Sequence, residues 1–236
     1  MLPKLLPLFL DGNNGVRNQL LKLLRVLPSA DIEDHSERLM IYIRAGMTHL
    51  AADIRISAMD ILAWALDVAG EALVSGAGGW VKTLKCFLTM LGWSNGETNA
   101  SWSTSSVSFS KAGNGGKTIA KNLNVLALFL RAGLAEDAGS EILGVSVFPL
   151  SHLNYHLLPK RSNCFAHLNL FGSARNEDSE MYEDREERRK IFSERFQQAH
   201  QRGLESAKQE GGEVGRAAAS LTKFLAETMN DVPEDV

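Results

Sequence analysis

Three groups of residues in this 236-residue chain are of types that do chemistry. The run Gly113-Asn114-Gly115-Gly116-Lys117-Thr118 ends like a phosphate-binding loop, in which glycine amides wrap phosphates and a lysine reaches the terminal ones. That loop also needs a glycine where Lys111 stands, and a buried strand where the polar segment 104–112, TSSVSFSKA, leads in. A P-loop-like nucleotide-binding protein is therefore the remote alternative, and a flexible glycine-rich loop before a helix is the plainer reading. His152, His156, Cys164 and His167 form the second group. An i,i+4 histidine pair and a Cys-x-x-His step have zinc-ligand spacing, but one cysteine among many aromatic neighbours fits packing or surface histidines better. No metal or other cofactor is expected. The acids of 176–187 form the third group. They are interleaved with Arg185 and lead into Arg188-Arg189-Lys190, as on a solvated helix face, and do not resemble two carboxylates facing each other across a cleft. No serine sits in a Gly-x-Ser-x-Gly turn. Lys160-Arg161 and Arg188-Arg189-Lys190 are too short, the second too mixed with acids, for a convincing RNA patch. No catalytic residue is assigned and no enzyme is expected, so the elements that shape a surface carry the functional question.

Those elements repeat. Asp53-Ile54-Arg55 opens a stretch with Ile54, Ala58, Ile61, Leu62, Ala65, Leu66 and Ala69 on one helical face. Val16-Arg17 opens the same text earlier, followed by Leu20, Leu23, Leu24 and Leu27, at an offset of 54 − 16 = 38 residues. A period near 40 with an apolar–Arg pair opening the second helix is the mark of HEAT or armadillo repeats. One such helix pair has too little surface to bury its own stripe, and stacking pairs buries a continuous core. The arginine beside the apolar opener is placed to reach the neighbouring turn.

In order, the pattern predicts helices over 2–10, 16–27, 35–48, 53–69, 80–91, 117–132, 181–209 and 214–229, with turns at 11–15, 29–34 and 76–79. Pro28, Gly70 and Gly211-Gly212 are the expected stops. A polar Ser/Asn/Gly insertion occupies 92–116. Its Trp93 and Trp102 are either anchored on the core or held out for a partner. Segment 150–172 is rich in His, Asn and aromatics, lacks a clean period and reads as irregular structure packed on the last repeat. The 181–209 helix is heavily charged, with Asp184–Arg188 and Glu186–Lys190 as possible i,i+4 pairs. Its apolar stripe (Ile191, Phe192, Phe196) looks too narrow for a fully buried helix.

The fold class is thus all-α: HEAT/armadillo-like repeats over 1–149, an irregular segment over 150–172 and a charged C-terminal helical extension over 173–236. A net charge of −3 argues against a chain held mainly by nucleic acid. Cys86 and Cys164 offer no disulfide framework, which points to a reducing compartment. No stretch reaches the roughly 20 apolar residues of a membrane span, and MLPKLLPLFL reads as a first repeat helix rather than a signal peptide. A repeat array that opens on that helix has no polar cap, so further helices or a partner are expected to cover it.

The segments LLPLFLDGNNGVRNQLLKLLRVLP, AGMTHLAADIR, GGWVKTLKCFLTMLGW and LPKRSN…LNLFG resemble the eukaryotic pre-rRNA-processing proteins of the Ipi/testis-expressed-ten family, and MYEDREERRKIF resembles its fungal branch. The resemblance covers nearly the whole chain. It implies a non-catalytic α-solenoid subunit of the Rix complex in nuclear maturation of the large ribosomal subunit, including removal of the second internal transcribed spacer. The partners it implies are a WD-repeat propeller protein, a proline/leucine-rich scaffold protein and the midasin AAA ATPase on the pre-large-subunit particle. A cytoplasmic HEAT-type trafficking or transport adaptor is the alternative. Partner contacts are expected at Lys160, Arg161, Phe165, Leu170 and Phe171 in the irregular block, and at the stripe of Ile191, Phe192 and Phe196. For both, packing inside the chain is the competing expectation.

Overall fold

The structure is a computed structural model, and it describes residues 2–93, 115–135 and 177–230. All regular structure among them is helical. Helix α1 (Leu2–Leu5) runs into a 3-10 segment (Leu6–Leu10). Pro7 near the start of that segment lacks the N–H an α-helix would use, so the expected single helix changes type there. Helix α2 (Asn14–Leu24) begins at an Asn13 cap whose side chain accepts from the Gly15 amide at 2.8 Å. A short α3 (Ser29–Glu33) buries Ile32 and leads to α4 (Ser36–Met47), α5 (Ala52–Ser75) and α6 (Trp80–Leu91). Gly92 ends α6 in the left-handed conformation, with the Trp93 amide donating to the Leu88 carbonyl at 2.9 Å. Helix α7 (Gly115–Leu134) is followed by α8 (Arg185–Arg195), α9 (Gln197–Glu210) and α10 (Gly212–Asn230).

The helices form two layers. The 3-10 segment, α4, α6 and α9 follow one another in the first; α2, α5, α7 and α10 do so in the second. Helix α8 packs on α7 and leads into α9. Each helix carries one apolar stripe, and the stripes of both layers meet in one hydrophobic core running from Leu2 to Leu221. The C-terminal helices share this core: Phe192, Phe196, Leu204, Val214, Ala218 and Leu221 are all buried in it.

Two expected boundaries differ. Helix α5 continues past Gly70 to Ser75, with a kink at Ala69 (φ −143°, ψ 38°), because Leu73 and Val74 beyond it are buried. Close contact with α7 at Ala132 leaves little room beside Gly70 for a side chain. The 181–209 helix is two helices that meet at Phe196 (φ −119°, ψ −26°). The bend turns the chain from α7, where α8 packs, toward α6 and α10, where α9 packs. The expected Asp184–Arg188 pair gives way to a different arrangement: Asp184 caps α8, and Arg188 points inward.

Gly133 of α7 and Gly203 of α9 mark close approaches to tryptophan. A Cβ on Gly133 would lie 2.2 Å from the Trp80 ring, and one on Gly203 2.1 Å from the Trp93 ring. Trp80 is fully buried, stacked on Phe129 at 5.2 Å, and donates from its indole nitrogen to the Arg188 carbonyl at 3.2 Å.

Candidate interaction surface

Arginines placed by one rule stand near the starts of α2, α5 and α8. Arg17, Arg55 and Arg188 each stand four residues after the N-cap of their helix, at Asn13, Ala51 and Asp184. A side chain in the first turn leans toward the helix N-terminus, so a long guanidinium there arches over the preceding turn. Each donates to the carbonyl six residues back: Arg17 to Asp11, Arg55 to His49 at 2.7 Å and Arg188 to Tyr182 at 2.9 Å. Arg55 and Arg188 add the next carbonyl, Leu50 at 2.7 Å and Glu183 at 3.1 Å. The 38-residue spacing in the sequence is therefore a repeated contact, and Arg188 forms a third copy that periodicity did not single out.

Two of these arginines also reach the carboxylates of α5. Arg17 is buried, pairs with Asp53 at 2.7 Å and donates to the Ser57 hydroxyl at 3.0 Å. Its hydrogen bond and charge hold the Asp53 carboxyl below the ordinary carboxylate range. Arg188 grips Glu71 with two bonds of 3.0 and 3.1 Å and donates from Nε to the Gly133 carbonyl at 2.9 Å. Asp60 of the same helix pairs with Lys121 of α7 at 2.7 Å. Helix α5 is thus stitched to α2, α7 and α8 through Asp53, Asp60 and Glu71. Asp67, between Asp60 and Glu71, makes no ion pair among the described residues.

Asp67 lines an open groove of about 620 Å³ between α2 and α5, closed at one side by Leu128 of α7. Leu21, Trp64 and Val68 supply its apolar wall and Arg25 its α2 rim. Leu128 is 43% exposed, a large apolar side chain left facing water.

The residues singled out from the sequence fall elsewhere. Lys160, Arg161, Phe165, Leu170 and Phe171 lie outside the described residues, as do His152, His156, Cys164, His167, Trp102, Gly113 and Asn114. Among the described residues no cluster of three or more His, Cys, Asp or Glu is placed to hold a metal. Gly115 and Gly116 already belong to α7, so this part of the glycine run is helix rather than loop. In the apolar stripe of α8, Ile191 is half-buried, but Phe192 and Phe196 are buried within the chain. Phe192 lies 6.4 Å from Trp80 and 5.1 Å from His200 between ring centres. The stripe is narrow on its own helix, and aromatic residues from α6 and α9 complete the pocket that buries it. As exposed partner contacts, Phe192 and Phe196 are thereby corrected. Trp93 is anchored on α9, edge-on to His200 at 5.7 Å.

His200 fills the centre of this aromatic cluster. Its Nδ1 donates to the Phe196 carbonyl at 2.8 Å, and Nε2 has no partner. Burial pushes its pKa down from 6.5 to about 4, so it is neutral at pH 7.

The sequence pattern pairs Arg188 with Asp184 instead of Glu71, and it carries no sign of Glu71, Trp64 or Asp67 as site residues. The position of Arg188 four residues after an Asp cap was a usable signal. The groove residues carried none, because a groove between helices is made by their packing.

A family profile described as "Rix1 complex component involved in 60S ribosome maturation" matches residues 30–130. The pre-rRNA-processing protein ipi1 of Aspergillus fumigatus is 52% identical over 240 residues, covering 97% of this chain and 69% of that protein. The protein of that name from Sclerotinia sclerotiorum is 53% identical over 241 residues, 98% of this chain and 68% of the relative. The Chaetomium thermophilum protein is 43% identical over 229 residues, 95% and 67%.

Proposed function

The chain belongs to the family of Ipi1 pre-rRNA-processing proteins, and from that premise we propose that it is a non-catalytic scaffold subunit of the Rix complex. It acts in the nucleus on the pre-large-subunit ribosome, including rRNA processing at the second internal transcribed spacer. The observation that carries this reading is high identity to pre-rRNA-processing relatives along almost the whole chain. We read the fold as a HEAT/armadillo-like α-solenoid; the two-layer stacking and the arginine repeated at one place in α2 and α5 support it. The partners are the WD-repeat propeller and proline/leucine-rich scaffold proteins, and remodelling energy comes from the midasin AAA ATPase. The block of Lys160, Arg161, Phe165, Leu170 and Phe171 is a proposed partner contact.

The experiment is a tagged pull-down of the full chain from nuclear extract, with RNase treatment, read by mass spectrometry. The propeller and proline/leucine-rich proteins are expected in stoichiometric amounts with and without RNase. Their absence, with cytoplasmic trafficking proteins in their place, overturns the scaffold reading. Phe165→Glu is expected to weaken the capture, and unchanged capture removes that block from the interface.

A further inference from the structure

We infer that the groove between α2 and α5 docks an extended protein segment through a lysine or arginine side chain that lies on Trp64 and pairs with Asp67. The inference deepens the scaffold reading and rests on it for the expectation that the partner is a protein. Its own footing is the chemistry of the groove.

Four carboxylates follow one another along α5: Asp53, Asp60, Asp67 and Glu71. Three are matched by Arg17, Lys121 and Arg188 from three neighbouring helices. Asp67 is not matched among the described residues and opens into the groove. Trp64, one turn earlier on the same helix, lines the groove beside it and makes no hydrogen bond among the described residues. An indole face next to an unmatched carboxylate is a donor set for a cationic side chain, by cation–π attraction and charge-assisted hydrogen bonding. Leu21, Val68 and Leu128 offer apolar surface to flanking residues. Arg25, which also lines the groove, is a donor for a carboxylate or carbonyl of the same segment. The lining holds Arg17 and Arg25 beside Asp60 and Asp67, but Arg17 is committed to Asp53 and Asp60 to Lys121, so Asp67 is the carboxylate left for an incoming charge.

The test selects a random dodecapeptide phage library on the purified full chain, then measures binding of the enriched peptides in fluorescein-labelled form. The expected pool is enriched in Arg or Lys flanked by apolar residues. Affinity is expected to fall about tenfold or more in Asp67→Lys and in Trp64→Ala, and to weaken with added salt. Asp67 is exposed, so Asp67→Lys is expected to keep the wild-type circular dichroism and melting temperature. A library that enriches no cationic peptide overturns the inference, and so does binding indifferent to both substitutions. The nuclear pull-down separates the two levels. If Asp67→Lys captures the complex as wild type does, the groove is overturned and the scaffold reading stands. If wild type captures none, the scaffold reading fails whatever the peptides do.

Discussion

Arg188 and Glu71, 117 residues apart in sequence, form a two-bonded ion pair at 3.0 and 3.1 Å that ties the start of α8 to the end of α5. The two ends of the pair are unequal. The arginine side chain is 4% exposed and the glutamate 59%. The arginine also satisfies the carbonyls of Gly133 at the end of α7 and of Tyr182 and Glu183 before α8.

That inequality sets the first prediction. Arg188→Met removes the shared donor and leaves buried carbonyls without it, costing about 3 kcal/mol. Glu71→Gln leaves Arg188 its carbonyl acceptors and costs about 1 kcal/mol. Urea unfolding of the two variants measures the difference. Equal costs would mean the ion pair, not the carbonyl bonds, is what holds α8.

Gly133 and Gly203 make a second prediction with opposite tolerances. In a helix interior Gly→Ala ordinarily gains about 1 kcal/mol. At Gly133 the new methyl meets Trp80, held by Phe129 stacking and the bond to the Arg188 carbonyl, and nothing there can yield. Gly133→Ala is expected to destabilise by about 3 kcal/mol. At Gly203 the methyl meets Trp93, half-buried just beyond the end of α6, which can swing outward. Gly203→Ala is expected to cost about 1 kcal/mol or less and to shift tryptophan emission to longer wavelength. Unfolding curves and fluorescence spectra of the two variants check both.

His200 supplies a pH dependence. Its pKa is about 4 in the folded chain and 6.5 as an ordinary histidine. The folded state therefore resists the proton that the unfolded state accepts. Its neutral form is fully compatible with the fold above pH 6.5, and stability is lost as pH falls from 6.5 toward 4, by roughly 3 kcal/mol. In His200→Leu that loss is absent. The Phe196 carbonyl stays bonded there, because the backbone amide of residue 200 already donates to it at 3.0 Å. Urea unfolding of wild type and variant at several pH values isolates the histidine, since other titrations cancel in the difference.

Phe192 and Phe196 predict a folding phenotype. Phe192→Glu puts a carboxylate in place of a fully buried ring between Trp80 and His200. The cost, more than about 3 kcal/mol, is a large share of a domain's stability. Loss of the cooperative unfolding transition is expected for Phe192→Glu, whereas Ile191→Glu, at a half-buried site, keeps it. A pull-down with Phe192→Glu would therefore report unfolding rather than loss of a contact. A normal melt for this variant would put the stripe back at the surface.

What the sequence determined by itself is local. Trp80–Leu91 has the bounds its periodicity predicts, and α2, α4 and α7 lie within a few residues of theirs. Caps, glycine stops and one apolar stripe per helix act within a few turns of chain. The arginine of α2 and α5 was legible for the same reason, since it bonds to its own preceding turn. Family membership was legible in blocks such as AGMTHLAADIR, which carry more than helix formation requires. The tertiary structure alone decided which stripes were covered and what lies between helices. Helix α5 runs past Gly70 because distant core residues bury Leu73 and Val74. The 181–209 stretch bends at Phe196 because it packs on two different sets of helices. Phe192 is buried by residues from α6 and α9, and the groove at Trp64 and Asp67 exists only where α2, α5 and α7 meet. Each depends on surface supplied by chain tens of residues away, and no periodicity along a single helix encodes that.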